Sequence, residues 1–197
     1  MDPKIDAEEL YCYLTGMDKV ALFLKAQEEV DPETEAKYLE LIERRASRIP
    51  LQHITGEQEF MGYTFKVSPD VLIPRQDTET LVTEAARVVQ STPHDKLTFI
   101  EKLKGKKDWE VLDLCCGSGA IGISMAKICD NVKVTSSDIS EAALAIAEEN
   151  AKKLRTKIKF LQGDMFAPHA GKKFDMILSN PPYIRTNMIS ILQEEVK

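Results

Sequence analysis

Trp109-Glu110-Val111-Leu112-Asp113-Leu114-Cys115-Cys116-Gly117-Ser118-Gly119 begins as an apolar run and breaks off at a glycine-rich turn. A short run of this kind, followed at once by helix-forming residues 120–128, reads as a buried strand feeding a helix. The rhythm then repeats. Val132-Lys133-Val134-Thr135 is a second strand, and Ser140 caps a helix carrying Leu144, Ala147, Ala151 and Leu154. Ile158-Lys159-Phe160-Leu161 and Phe174-Asp175-Met176-Ile177-Leu178 supply a third and a fourth strand. Strands alternating with helices imply an α/β fold with a parallel, doubly wound sheet, four strands of which are countable.

Working outward from that block, Phe60-Met61-Gly62-Tyr63-Thr64-Phe65-Lys66-Val67 alternates around a glycine and reads as a β-hairpin. A helix follows from about Thr78, with Leu81, Val82, Ala85 and Val89 on its apolar side. Residues 91–108, with Pro93, Gly105 and many lysines, read as a surface connection. The first fifty residues read as helices. Val20, Phe23, Leu24 and Gln27 mark one face, and Asp31-Pro32-Glu33 supplies an N-cap, a proline at the first helical position and a first-turn acid. Leu39, Ile42, Ala46 and Ile49 form an apolar stripe that Pro50 ends. The domains expected are a small all-α N-terminal domain over 1–50, a linker with the hairpin over 51–75, and the sheet domain over 76–197.

Composition narrows the classes. At 197 residues and 43% hydrophobic, the chain suits a packed soluble protein. No run approaches a membrane span, and the acidic start Met1-Asp2-Pro3-Lys4-Ile5-Asp6 is not a signal peptide, so the cytoplasm is expected. Cys12, Cys115, Cys116 and Cys129 fit neither a disulfide framework nor a zinc spacing; reduced thiols and no metal are expected. Residues 1–50 hold seven Lys/Arg against twelve Asp/Glu, a net of −5 out of −6 for the chain. That balance argues against a phosphate backbone as the main partner. The basic runs at 102–107 and 152–159 read as solvated faces.

Four loops carry the chemistry. Asp113-Leu114-Cys115-Cys116-Gly117-Ser118-Gly119 ends the first strand in a turn where a ligand can approach backbone N–H groups closely; a tight turn with no ligand fits equally. It is neither a dinucleotide fingerprint nor a P-loop. Asp138 ends the second strand, where an acid can accept both hydroxyls of a ribose, or alternatively serve the first turn of the next helix. Gly163-Asp164-Met165-Phe166 follows the third strand. Asn180-Pro181-Pro182-Tyr183 ends the fourth, and its prolines hold the turn rigid. An amide oxygen, a backbone carbonyl and an aromatic face are thereby presented together, which suits a planar –NH₂ group. Loops at strand carboxyl ends converge on one crevice in such sheets.

At these residues the chain resembles the S-adenosylmethionine-dependent methyltransferases that act on planar amino groups. With Ile73-Pro74-Arg75-Gln76-Asp77-Thr78-Glu79 upstream and the helical N-terminal region, it looks like the HemK/PrmC-type release factor glutamine methyltransferases, over nearly its whole length. The resemblance implies a Rossmann-like methyltransferase sheet, S-adenosylmethionine as cofactor and S-adenosylhomocysteine as product. It implies that Asp113 and the segment Cys115, Cys116, Gly117, Ser118 and Gly119 line the methionine end, that Asp138 holds the ribose, and that Asp164 and Met165 border the adenine. Asn180, Pro181, Pro182 and Tyr183 would hold a substrate glutamine, with Asn180, Pro181 and Tyr183 catalytic and Asn180 also near the cofactor. The 1–50 domain would recognise the protein substrate, a peptide chain release factor, with no direct nucleic acid and no membrane as partner. Two positions depart from the family: Cys115 where glycine is usual, and Gln76-Asp77 where a Pro-Glu pair is usual. The Asn-Pro-Pro-Tyr tetrad is shared with adenine-N6 methyltransferases acting on nucleic acid, which is the alternative function. An inactive cofactor-binding fragment is the other.

Sheets of this class run to about six or seven strands, so the domain is expected to be truncated at its C-terminus, with strand four a bare edge. An uncovered edge recruits other chains. The 197-residue polypeptide is therefore expected to self-associate, to be marginally stable, or to have an ordered helical domain beside a poorly ordered sheet. Light scattering with hydrogen exchange checks this, and a monodisperse monomer with slow exchange through strand four would contradict it.

Overall fold

The computed structural model describes residues 3–91 and 108–183 and divides the chain into two compact units. The expected surface connection at 91–108 lies almost wholly outside the described residues.

In the first unit, over residues 3–56, Pro3–Thr15 (α1), Lys19–Leu24 (α2), Pro32–Ala46 (α3) and Leu51–Thr55 (α4) are helical. Asp18 and Asp31 each sit in extended backbone, and their carboxylates accept from the N–H of Ala21 (2.7 Å) and Thr34 (2.9 Å), which fixes where α2 and α3 begin. Pro32 starts α3 without wasting a donor. Tyr38 on α3 packs edge-on to Tyr11 of α1 and donates its hydroxyl to the Ala7 carbonyl. Arg45 Nε meets Asp6 Oδ2 at 2.7 Å, with both side chains largely shielded.

Two readings of this unit need correction. The face Val20, Phe23, Leu24 and Gln27 is not buried: α2 stops at Leu24, and its three apolar residues are 68, 80 and 76% exposed. The inward side of α3 is Thr34, Tyr38, Leu41, Ile42 and Arg45, while Leu39 and Ala46 face outward and Ile49 lies past the helix end, beyond Arg48 at φ +66°. The cause is size. Among the described residues of this unit only Leu10 and Ile54 are buried, since so short a segment has too little interior to enclose every apolar stripe.

The second unit runs from Glu57 to Tyr183. Glu57–Phe60 (β1) and Tyr63–Lys66 (β2) pair antiparallel around Met61 and Gly62, both at positive φ, which is the two-residue turn whose twist matches a hairpin. Phe60 and Phe65 are fully buried against each other, an interaction on the order of 1 kcal/mol beyond the area that they bury. Gln76–Ser91 (α5) turns Val82, Ala85, Ala86 and Val89 inward.

The sheet follows: Trp109–Leu114 (β3), Ala120–Ile128 (α6), Val132–Asp138 (β4), Glu141–Lys153 (α7), Ile158–Gln162 (β5), a 3-10 turn at Ala167–His169, and Met176–Ser179 (β6). All pairings are parallel, in the order β5-β4-β3-β6. The chain builds outward from β3 through β4 to β5, then returns to the other side of β3. That reversal is the switch point of doubly wound sheets, where adjacent loops diverge and leave a crevice.

Strand boundaries shift from the apolar runs. β4 continues through Ser136, Ser137 and Asp138, because both serine hydroxyls find buried partners, Asp113 Oδ2 (3.4 Å) and His169 Nε2 (2.9 Å). β6 begins at Met176, not Phe174, whose ring instead packs edge-on to His169. Among the described residues β6 has one strand partner, β3, and its Ile177 is half exposed while Leu178 is buried. Among them, too, no helix is long and apolar enough to cross a membrane.

Asn150, fully buried on α7, ties the hairpin to the sheet. Its Oδ1 accepts from Lys66 N (2.7 Å), and its Nδ2 donates to the carbonyls of Lys66 (2.9 Å) and Ser118 (3.0 Å). Removing it leaves the partly buried Lys66 N–H and carbonyl and the buried Ser118 carbonyl unpaired, at up to about 1–3 kcal/mol each. Asn150→Ala is expected to lower unfolding free energy by about 2–4 kcal/mol in urea titration. A loss under about 1 kcal/mol would mean that water replaces the three bonds.

Candidate functional site

The register brings the strand ends into line. Leu114 pairs with Ser137 on one side and Ser179 on the other, and Asp138 pairs with Gln162. The loops after β3, β4, β5 and β6 therefore emerge at one end of the sheet.

The first loop needs left-handed backbone at three of five positions: Cys115 (φ +58°), Gly117 (+53°) and Gly119 (+78°). Glycine adopts this freely, whereas Cys115 carries strain on the order of 1 kcal/mol or more. Cys116 N donates to Ser137 O (3.0 Å), and Gly119 N to Cys116 O (2.8 Å). The helix behind the loop lies close to the sheet. A Cβ on Gly122 would stand 2.7 Å from Ser136 Oγ and 2.8 Å from Asp113 Oδ2, so no side chain fits there.

Asp138 joins this loop to the next. Its Oδ2 accepts from Gly117 N (2.9 Å) and its Oδ1 from Ser140 N (3.0 Å), while Ser140 Oγ caps α7 through Ala143 N. Of the two sequence readings of Asp138, the place in the turn before α7 is observed, and the residue also braces the glycine loop. Each carboxylate oxygen keeps a second lone pair able to accept a hydroxyl.

The loop after β5 is drawn in by Gly163 N donating to the Asp138 carbonyl (3.0 Å) and by Cys115 Sγ meeting Met165 Sδ at 3.8 Å. Asp164 accepts through its backbone carbonyl from Ala167 N. The loop after β6 is pinned where it starts, with Ser179 Oγ donating to Leu114 O at 2.7 Å. Asn180 Nδ2 lies 3.3 Å from Thr78 Oγ1 on α5. Pro181 is half-buried, Pro182 is exposed, and Tyr183 is 75% exposed.

The titratable groups point away from nucleophilic chemistry. Burial, with Asp138 nearby, holds the Cys115 thiol above its usual range, and burial does the same more strongly to Cys116. Both stay protonated, so neither is an activated nucleophile. Burial, with the charge of Lys172 second, lowers the His169 pKa, consistent with a neutral ring on Ser137. Among the described residues no three His, Cys, Asp or Glu are grouped to hold a metal. What the loops offer instead is acceptors, backbone donors and apolar surface, since Ile139, Met165 and Phe166 are all exposed around them.

Sequence reasoning did not single out Ile139, Asn150 or Thr78 as individual residues of the site. Asn150 left one trace, a polar residue three positions after Ala147 on an otherwise apolar helix face. Thr78 left none of its own, because its partner Asn180 lies 102 residues away.

Residues 94–194 match the family model for the methyltransferase small domain, the class to which this sheet and its loops conform, and residues 1–56 match that for the PrmC N-terminal domain. Relatives named release factor glutamine methyltransferase include those of Moorella thermoacetica (39% identical, covering 99% of this chain and 65% of the relative), Koribacter versatilis (40%; 99% and 65%) and Bordetella pertussis (37%; 99% and 67%). The chain belongs to the release factor glutamine methyltransferase family. It spans about two thirds of the length of these relatives.

Asp113 lies fully buried beneath the glycine loop. Its Oδ2 accepts from Gly122 N (2.9 Å) and Ser136 Oγ (3.4 Å), while Oδ1 has no partner. Burial pushes its carboxyl up to about 7, against an ordinary value of 3.8. The folded chain therefore keeps a proton that the unfolded chain loses between those values. The stability of the neutral form is complete below about pH 4, declines as pH rises to about 7, and is level above. Asp113→Asn keeps an acceptor for Gly122 and removes this titration. Its stability relative to wild type is expected to rise between about pH 4 and 7 in parallel thermal melts; a constant difference would show that folding does not raise the Asp113 pKa.

Proposed function

We propose that the chain carries the site for methyl transfer from S-adenosylmethionine to the side-chain amide nitrogen of a glutamine in peptide chain release factors. The observation that carries this reading is the placement of Asn180-Pro181-Pro182-Tyr183 beside the glycine loop at the switch point, held by the Ser179–Leu114 bond. Family membership supports the substrate class.

The chain's residues suit the cofactor. The loop from Cys115 to Gly119 exposes left-handed backbone with open space at Gly117, and Asp138 retains acceptor capacity for ribose hydroxyls. Met165, with the backbone at Asp164, would border the adenine, and Asp113 would support the loop from below. When bound, S-adenosylmethionine supplies an electrophilic methyl group on a sulfonium. An amide nitrogen is a weak nucleophile, because its lone pair is delocalised into the carbonyl, so orientation is the protein's main task. Asn180 Oδ1 and the Pro181 carbonyl accept the two N–H groups of the glutamine amide, and Tyr183 and Pro182 flank its plane. As positive charge develops on that nitrogen those hydrogen bonds strengthen, which favours the transition state over the bound amide.

In this reading the helical 1–50 domain recognises the release factor, 51–75 connects, and 76–197 carries the transfer, in the cytoplasm. The acidic N-terminal segment, at −5, supports a protein partner over nucleic acid.

Incubation with a release factor and labelled cofactor, followed by peptide mass spectrometry, tests the assignment. Label is expected on one glutamine; label on nucleic acid alone would establish the adenine alternative. Asn180→Ala should retain cofactor binding yet lose at least about tenfold in transfer rate. Asp138→Ala should weaken cofactor binding about tenfold by calorimetry, the worth of a charge-assisted hydrogen bond.

A further inference from the structure

We propose that Thr78 is a positioning residue that anchors the side-chain amide of Asn180. The inference rests on the reading that Asn180 Oδ1 accepts from the substrate amide.

A side-chain amide has two nearly isosteric ends of opposite polarity, and rotation about its last torsion is broad and roughly two-fold. The prolines fix the backbone of the Asn180 turn but not that torsion. With the amide turned over, Nδ2–H₂ would face the substrate –NH₂, donor against donor, and no productive hydrogen bond could form. One orientation works, and a partner outside the turn is needed to hold the side chain.

Thr78 is the described residue placed to do so. Its Oγ1 accepts from Asn180 Nδ2 at 3.3 Å and so holds the amide at that end, with Oδ1 left to accept. Thr78 is itself held firmly. It sits in the first turn of α5, where its N–H donates to Arg75 O (3.0 Å). The next residue, Glu79, accepts from Met61 N at 2.7 Å and so ties this turn to the hairpin. Being β-branched, Thr78 has few rotamers to spare. On the other side Asn180 is fixed through Ser179 Oγ on Leu114 O.

A second effect follows from hydrogen-bond polarisation. When the N–H of an amide donates, its carbonyl oxygen becomes a better acceptor. The Thr78 bond therefore strengthens Oδ1 as charge builds on the methyl-accepting nitrogen. This gives the Pro74-Arg75-Gln76-Asp77-Thr78-Glu79 segment a task at the site that its own residues do not announce. Glu79 docks it, and Thr78 anchors the amide.

The test compares Thr78→Val, which keeps shape and loses the acceptor, with Thr78→Ser, which keeps the acceptor. In the full chain, Thr78→Val is expected to lower kcat tenfold or more, with KM for the release factor and Kd for S-adenosylhomocysteine within about twofold of wild type. Thr78→Ser should restore most of the rate. In parallel, the Asn180 side-chain ¹⁵N–¹H₂ resonances, assigned by their loss in Asn180→Ala, should move in Thr78→Val and hold near wild type in Thr78→Ser. A Thr78→Val enzyme with more than half the wild-type kcat, or with unmoved Asn180 resonances, overturns the proposal. If wild type labels no glutamine, the methyl-transfer reading fails instead, and the resonances still decide whether Thr78 holds the amide.

Discussion

The carboxyl end of β3 is gripped from both sides, and the rest of the site depends on that grip. Leu114 pairs with Ser137 of β4 and with Ser179 of β6, and the Ser179 hydroxyl closes onto the Leu114 carbonyl at 2.7 Å. A central strand held this way has no freedom to slip, because a one-residue slip in a parallel sheet would turn every side chain to the opposite face. The glycine loop and the Asn-Pro-Pro-Tyr turn are consequently set against each other with the precision of a sheet rather than of two loops.

Beneath the loops lies a layer of buried polar residues: Asp113, Ser136, Ser137, Asn150 and His169. Burying such groups is unfavourable unless each is paired, and here most are. Asn150 uses both amide hydrogens and its oxygen, and Ser137 meets His169. Asp113 Oδ1 and His169 Nδ1 are left without partners. The layer holds three structures at fixed spacing. They are the hairpin through Lys66, the glycine loop through Ser118 and Gly122, and the end of β4. An apolar layer would pack as well but would not specify these spacings, since apolar contacts have no direction.

Strain sits in the loops at the strand ends. Cys115 adopts left-handed backbone without being glycine, and Met165, opposite it at 3.8 Å, does the same at φ +44°. Both are held by their surroundings, Cys115 by the bond from its neighbour Cys116 to Ser137 and Met165 by the Ala167-to-Asp164 turn. Their soft sulfur atoms fill the space between the first and third loops, a place where a smaller residue would leave a gap.

The amino-acid sequence by itself determined what depends on nearby residues. Strand and helix alternation from Trp109 onward follows from apolar periodicity within windows of a dozen residues. The hairpin turn, the glycine loop and the rigid Asn-Pro-Pro-Tyr turn follow from which residues tolerate positive φ or forbid rotation. Helix starts at Asp18, Asp31 and Ser140 follow from side chains that reach only three residues on. Tertiary structure decided what depends on register. The serines that lengthen β4, the inward face of α3 and the bond from Thr78 to Asn180 involve partners far apart in sequence or burial that a whole unit must supply. Val20, Phe23 and Leu24 make the same point in reverse: they have the spacing of a core face and remain exposed. Periodicity states which residues can share a face, but only the assembled volume states whether that face is covered.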